Sequence, residues 1–355
     1  MSRIASVCPV FPPHTYDQAT ITDALASYVL PAGADTRVLR RLHSVSGVEQ
    51  RSLALPLEEY AALDGFGAAN DAFIRVATDL GTDAVGKALD LAGLDGSDVD
   101  LVVAASVTGI AAPSLETRLA PRLGLRPDVK RVPIFGLGCV AGAAGLARVH
   151  DYLVGHPDDV AVLLCVELCS LTVQRDDATP TNLLASGLFG DGAAAVVLVG
   201  ERRARRMRLA SAPQIVATRS RLYPDTDDVL GWDIGGSGFR IVLAASLADL
   251  VEAHLGDDVR DLLAEHGLTG SDVSAWVAHG GGANVLRAAA RTLGLPDEAL
   301  ARSWASLAQQ GNLSSASVLH VLAETIDHGP PPAGTAGVLL AMGPGFCTEL
   351  VLLRW

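Results

Sequence analysis

The stretch Phe135–Leu146 reads FGLGCVAGAAGL. An apolar strand beginning at Val132 runs into Gly136-Leu137-Gly138, and Cys139 opens a Val-, Ala- and Gly-rich helix that reaches Val154. A strand that breaks at a glycine turn and restarts as a helix is the joint of an α/β protein. A sulfur at that joint lies near the positive end of a helix macrodipole, where thiolate is stabilised and the thiol pKa falls. The small residues let backbone approach backbone, so the helix can be deeply buried. A packed, inert cysteine explains the same phrase as well.

Outward from this joint, short aliphatic runs alternate with longer Ala- and Leu-rich stretches, as in an α/β fold. Strands are expected over Leu101–Ser106, Val132–Leu137, Val160–Val166, Ala193–Val199, Ala275–Ala278, Gly337–Met342 and Glu349–Leu353. Helices are expected over Asn70–Ala92, Leu115–Leu123, Leu247–His266, Asn284–Leu293 and Ser315–Ile326, with Ser246 capping the third and Gly256 interrupting it. The phrase AGLDGSDVD (Ala92–Asp100) returns as HGLTGSDVS (His266–Ser274), each time between a long helix and a strand. Internal duplication and coincidence both account for the echo. The basic run Glu201–Arg208, ERRARRMR, is the best boundary, dividing residues 1–205 from 206–355. It reads as a solvated surface or as a rim for an anionic ligand.

A chain of 355 residues exceeds one ordinary core and implies two domains or a two-part fold. Hydrophobic residues make up 49% but aromatics only 5%, so small aliphatic side chains do most of the packing. A formal charge of −13 argues against general nucleic-acid binding, which needs clustered Lys and Arg. Apolar runs such as that around Val160–Val166 fall short of the roughly 18 to 20 residues of a membrane span. The start, MSRIASVCPVFPPH, has no signal-peptide core, so a cytoplasmic location is expected. Five cysteines without CxxC spacing disfavour a disulfide framework and a zinc site, and no metal is expected.

Four further phrases carry polar residues at turns. In AHGGGANVL (Ala278–Leu286), His279 ends a buried strand beside three glycines, where a ligand can approach the backbone. In GNLSSASVL (Gly311–Leu319), Asn312 precedes a helix and could simply cap it. In LFGDGAAAVVL (Leu188–Leu198), Asp191 reads most cheaply as a turn residue. AMGPGF (Ala341–Phe346) fits a hairpin connection between two apolar strands.

Taken in order, LGCVAG, HGGG, GNLSSA and GPG resemble the type III polyketide synthase family, the chalcone-synthase-like enzymes, in its bacterial form. The resemblance extends from Arg37–Arg51 to Gly343–Leu352. It implies the thiolase fold, a duplicated αβαβα five-layer core, with the nucleophilic Cys in the first half and the His and Asn in the second. It also implies a homodimer acting on acyl-CoA and malonyl-CoA-type substrates with no cofactor. Cys139 would take the starter acyl group, and His279 would stabilise the thiolate as an imidazolium. With Asn312, His279 would also polarise the malonyl thioester carbonyl, meeting the enolate charge without adding a negative one.

By the same resemblance Phe189 and Phe239 would form an apolar throat, and Ser314 and the Gly343-Pro344-Gly345 loop would border the cavity. Arg41 matches a position that contacts CoA phosphates; Val38 and Val45 replace two lysines of plant members, and Arg37 and Arg40 stand beside it. Val107, Ala112 and Cys169 fall at cavity-shaping positions. Naphthalene-forming bacterial members carry a Cys where this chain has Val107, which argues against that product. Small apolar residues there favour an aliphatic starter and alkylpyrone or alkylresorcinol products. The rivals are a β-ketoacyl-acyl-carrier-protein synthase III-like enzyme, a tetrahydroxynaphthalene-type synthase and a non-catalytic acyl-binding subunit. A Cys–His thiol hydrolase is disfavoured because no Asp or Glu accompanies the pair.

Overall fold

The computed structural model describes residues 1–31, 33–175 and 177–355. The first half contributes β1 (Ser2–Val10), β2 (His14–Asp17), β3 (Gln50–Leu53), β4 (Leu101–Ala105), β5 (Lys130–Ile134), β6 (Val160–Leu168) and β7 (Asp191–Gly200). The second contributes β8 (Gln214–Leu222), β9 (Leu230–Gly235), β10 (Gly238–Leu243), β11 (Val273–Ala278), β12 (Ala336–Gly343) and β13 (Cys347–Arg354). Helices of the first half are α1 (Gln18–Val29), α2 (Arg37–Ser44), α3 (Gly65–Ala92), α4 (Leu115–Leu123), α5 (Ala141–Gly155) and α6 (Pro180–Leu188). After α7 (Glu201–Arg206) come α8 (Leu247–Glu265), α9 (Ala283–Leu293), α10 (Ala301–Gln310) and α11 (Ser317–Asp327).

Strand pairing makes the duplication explicit. In the first half β4 pairs parallel to β6, β6 antiparallel to β7, and β7 antiparallel to β1. In the second, β11 pairs parallel to β12, β12 antiparallel to β13, and β13 antiparallel to β8. The two sets join where Ser2 and Arg3 meet Ile215 and Gln214, giving the order β11-β12-β13-β8-β1-β7-β6-β4-β5. The repeated SDV phrase marks equivalent places: a single 3-10 turn leads into β4 and into β11. In each, the aspartate carboxylate accepts the backbone N–H three residues back, Asp98 from Asp95 and Asp272 from Thr269. Both turns are capping boxes.

Alternation along the central strands sorts the apolar residues into layers. Leu163, Val196, Leu339 and Val351 point into a core shared with Leu146 and Val149 of α5 and Val318 and Leu322 of α11. Val162, Leu164 and Val197 face α3 through Phe73, Ala77 and Val85. Val338, Leu340 and Leu352 face α8 and α9 through Leu255, Val259 and Leu286. Outer helices, a sheet half, the α5/α11 pair, a second sheet half and further outer helices form the five layers.

Several expectations change in detail. The strand from Val132 ends at Ile134, because Gly136 and Gly138 take φ of 94° and 53° to turn the chain toward Cys139. Gly256 does not interrupt α8; it packs where a Cβ would lie 2.8 Å from Thr292 Oγ1. Ser246 makes no side-chain cap bond. In the basic run, Arg202 and Arg206 pair with Asp158, Arg203 with Asp98 and Arg205 with Glu201, so these charges are spent on the surface. No described helix is long and apolar enough to cross a membrane.

The α5/α11 contact depends on Gly142, where a Cβ would stand 2.4 Å from the Ser315 carbonyl oxygen and 2.7 Å from Val318. Gly142→Ala should therefore cost about 1–3 kcal/mol of stability as overpacking. Denaturant unfolding of the variant measures this, and an unchanged midpoint would show that the helices can separate freely.

Candidate active site

Cys139 lies in a 3-10 turn, Gly138–Val140, immediately before α5. In the second half a 3-10 turn, Ser314–Ala316, precedes α11. The duplication thus brings two equivalent helix starts together, and Cys139 Sγ lies 3.7 Å from Ser314 Oγ. The Gly343-Pro344-Gly345 hairpin closes over the turn. A Cβ on Gly138 would reach Pro344 Cγ at 2.6 Å, and one on Gly343 would reach Val140 N at 3.0 Å. That loop is therefore a wall of the site as well as a strand connection.

His279 prolongs β11, its N–H donating to the Leu340 carbonyl at 2.9 Å. Its ring is 2% exposed, and Nδ1 has no hydrogen-bond partner. Asn312 makes a parallel bridge with Phe189. Its side chain does two things: Oδ1 accepts from Ser314 N at 2.8 Å, and Nδ2 donates to the Gly281 carbonyl at 3.1 Å. Asn312 is not the cap of the helix, since Leu313 holds that place for the 3-10 turn and Ala316 for α11; its amide instead ties the Ser314 turn to the His279 loop. Gly281 completes the chain of contacts, since its N–H donates to the His279 carbonyl at 2.9 Å.

Burial governs the protonation of the site. It pushes the Cys139 thiol up to about 12, against the Ser314 hydroxyl, and the nearby Glu167 carboxylate adds to the rise. The depressed thiol expected from the helix end is outweighed by desolvation. Burial also holds the His279 imidazole down at about 4. Sequence reasoning missed Glu167, whose charge acts on the Cys139 sulfur although it hydrogen-bonds to neither Cys139 nor His279. It is the penultimate residue of β6, has no exposure and accepts from Ser315 Oγ at 2.5 Å, Thr108 Oγ1 at 2.9 Å and Val107 N at 3.1 Å. A lone Glu in the apolar run VAVLLCVEL was its signal, because a carboxylate buried in a central strand needs donors around it. With its lone pairs engaged by these donors, Glu167 fastens β6 to the loop after β4 and to the α11 start.

Two cavities flank these residues. One, of about 300 Å³, is lined by Phe239, Phe66, Thr108, Leu171, Thr172 and Gln174. Phe239 is fixed there by an edge-on contact with Phe66 at 5.4 Å and by Trp232 at 5.9 Å. Buried Val107 and Cys169 lie on the same side, beside Thr108 and Leu171. The other, of about 370 Å³, opens between α2, α6 and the loop after His279, with Leu42, Val45, Leu188, Gly281 and Val285 among its walls. Arg41, exposed on α2, forms no ion pair among the described residues, whereas Arg37 pairs with Asp35 and Arg40 with Asp23. Ala112 is exposed and lines neither cavity, so within one chain it does not shape the site as expected. Asp191 is a buried hydrogen-bond acceptor, not a solvent-facing turn residue. No cluster of His, Cys, Asp and Glu among the described residues could hold a metal.

The models of the chalcone and stilbene synthases match this chain through their N-terminal domain at residues 38–202 and their C-terminal domain at 214–355. The chain belongs to that family. Among its relatives, a 1,3,6,8-tetrahydroxynaphthalene synthase of Streptomyces peucetius subsp. caesius is 57% identical over 354 residues, 100% of this chain and 93% of the relative. A putative chalcone synthase of Bacillus subtilis is 36% identical over 87% of this chain and 86% of its own. The crystal structure of 1,3,6,8-tetrahydroxynaphthalene synthase from Streptomyces coelicolor superimposes with a TM-score of 0.92 at 30% identity, covering 99% of both chains. The protein is a bacterial type III polyketide synthase with the thiolase fold, an acyltransferase of a family that uses CoA thioesters without a further cofactor.

Taken singly at neutral pH, Cys139 is a thiol and His279 a neutral imidazole. Were the Sγ proton to pass to the imidazole, the opposite charges would attract strongly where water is excluded. Removing that proton acceptor in His279→Ala should move the pH profile of Cys139 alkylation by iodoacetamide to higher pH. Coincident profiles for variant and wild type would show that the two groups are not coupled.

Proposed function

We propose that this polyketide synthase condenses malonyl-CoA-type units on Cys139 and releases an aromatic product of the tetrahydroxynaphthalene type. The observation that carries the reading is 57% identity, across the whole chain, to a 1,3,6,8-tetrahydroxynaphthalene synthase. Oxygens at alternate carbons of a naphthalene are what head-to-tail two-carbon additions leave, with no side chain surviving from a starter. The cavity of about 300 Å³ beside Phe239 supports a chain that folds on itself.

Cys139 Sγ attacks the acyl thioester as His279 takes its proton; the acyl–sulfur bond of the CoA ester breaks, and the CoA thiolate recovers that proton. Malonyl-CoA then loses CO2, and the electron pair of the broken carbon–carbon bond becomes an enolate. Donors from His279 and Asn312 meet the enolate oxygen, and two helix starts contribute positive potential. The enolate carbon attacks the Cys139 thioester, forming the new carbon–carbon bond and returning the sulfur as thiolate. Phe189 and Phe239 form the throat, Gly343, Pro344 and Gly345 the wall, and Arg41 the contact for CoA phosphates, with Arg37 and Arg40 beside it. Residues 1–205 form the Cys-bearing half and 206–355 the His- and Asn-bearing half.

A homodimer is supported by exposed Ile110, Val132, Phe135 and Leu137 around β5, an edge strand paired only with β4. Ala112 lies in this region and would act across the interface. All five cysteines are free, which supports the reducing cytoplasm. A second reading, aliphatic acyl-CoA starters and alkylpyrone or alkylresorcinol products, is favoured by Val107 standing where naphthalene-forming relatives carry Cys.

Mass spectrometry of reactions with malonyl-CoA alone, and with a panel of fatty acyl-CoA starters, separates the two. A starter-free aromatic product is expected; strict dependence on an added acyl-CoA overturns the first reading in favour of the second. Cys139→Ala should abolish condensation, while Cys139→Gln keeps malonyl decarboxylation. Asn312→Ala should lower kcat by about 10²- to 10³-fold, and chain extension at the wild-type rate in any of the three removes that residue from its role.

A further inference from the structure

We propose that Arg51 is a positioning residue that holds Asn312 and Phe189 in register by closing the C-terminal end of α6. The inference rests on the role of Asn312 in the reading above. A helix leaves its last four carbonyls without intrahelical donors, and α6 ends at Leu188, directly before Phe189. The first of these keeps the N–H of the helix's own cap, and the other three are met from elsewhere in the chain. The Ala185 carbonyl takes the N–H of Phe189 at 3.1 Å, and that of Leu188 takes the N–H of Asn312 at 2.9 Å. The Gly187 carbonyl accepts from Gln18 Nε2 at 2.6 Å, and the Ser186 carbonyl from Arg51 Nη2 at 2.5 Å.

Arg51 is the one cation in this set and sits at the negative end of the helix. It is 1% exposed, an expensive place for a guanidinium, and burial draws its pKa down to about 10. Its stem also fills the space behind the Phe189–Asn312 bridge. A Cβ on Gly190 would lie 3.4 Å from Arg51 Cβ, and one on Gly311 would lie 3.5 Å from Arg51 Cδ. Gly190 N–H in turn donates to the Asn312 carbonyl at 3.0 Å. Arg51 therefore stands beside the residue after Phe189 and the residue before Asn312, where a side chain on either would meet it, while bonding the helix that leads to Phe189.

On the other side of Gly190, Asp191 fastens the same strand start. Its carboxylate accepts from Ala54 N at 2.6 Å and Ser170 N at 2.8 Å, and from the Ser170 hydroxyl. Arg51 and Asp191 thus clamp the Phe189–Asp191 turn from two directions, and neither borders a cavity.

The test uses the full-length enzyme with malonyl-CoA, reading kcat and KM, starter-free decarboxylation, and iodoacetamide alkylation of Cys139 as a count of intact sites. A displacement of the Asn312 amide by an ångström costs on the order of 10²-fold in rate. Arg51→Met should therefore lose about that much in kcat and decarboxylation, with KM and alkylation per folded chain unmoved. Arg51→Lys, which keeps a cation and one donor, should recover about tenfold of the loss. Half-buried Gln18→Met should lose a few-fold. A merely structural role would lower alkylation and kcat together. Folded Arg51→Met with wild-type kcat and decarboxylation overturns the proposal. If Arg51→Met does not fold, wild-type kcat in both Arg51→Lys and Gln18→Met overturns it, and a kcat loss at constant KM in either supports it. Wild-type kcat in Asn312→Ala would instead overturn the reading of the active site.

Discussion

Everything in this molecule hangs on two buried helices, α5 and α11, packed against each other between the halves of one sheet. Their approach is close enough that Gly142 meets the Ser315 carbonyl with no room for a side chain. Because the two halves repeat the same pairing order, the helices begin at equivalent points, one just after Cys139 and the other just after Asn312 and Ser314. The contact that closes the core is also the contact that assembles the site.

That origin shapes the electrostatics. A buried site desolvates every ionisable group it contains, so cysteine and histidine are both held toward their neutral forms. Charge becomes affordable only as a pair, or against donors already in place. In the proposed reaction two helix starts and the amide of Asn312 would supply such donors, whereas Glu167 opposes a thiolate and is held by four polar partners of its own. An enzyme that must generate negative charge transiently benefits from this arrangement, since no solvent needs to reorganise.

Around this centre the first half supplies the walls of both cavities, α2 and α6 on one side and the Thr172 region on the other. The second half contributes the Phe239 hairpin and the glycine loop after His279. The buried polar groups that do not face a cavity, Arg51 and Asp191 above all, spend their hydrogen bonds on backbone. Arg51 does so with its Nε and Nη1 left unpartnered, and together the two residues fix the turns from which Phe189 and Asn312 project.

Local pattern determined a good deal. The runs Leu101–Ala105, Val160–Leu168 and Ala336–Gly343 are apolar but for Glu167 because both faces of the sheet are covered, and they were legible as strands for that reason. Leu115–Leu123 was readable to the residue, and glycine turns flagged Cys139 as the opening of a helix and His279 as the end of a strand. The order of four short phrases was enough for the family, and the repeated SDV turn pointed at the duplication. By contrast, β1, β8, α1, α2, α6 and α10 were not read, since their stability comes from neighbours that the sequence does not place beside them. Arg51, the donors gathered around Glu167 and the change of Asp191 from turn residue to buried acceptor belong to tertiary structure alone. So does the direction of the Cys139 pKa, because a helix end acts locally whereas desolvation depends on how many layers of chain lie between a sulfur and water.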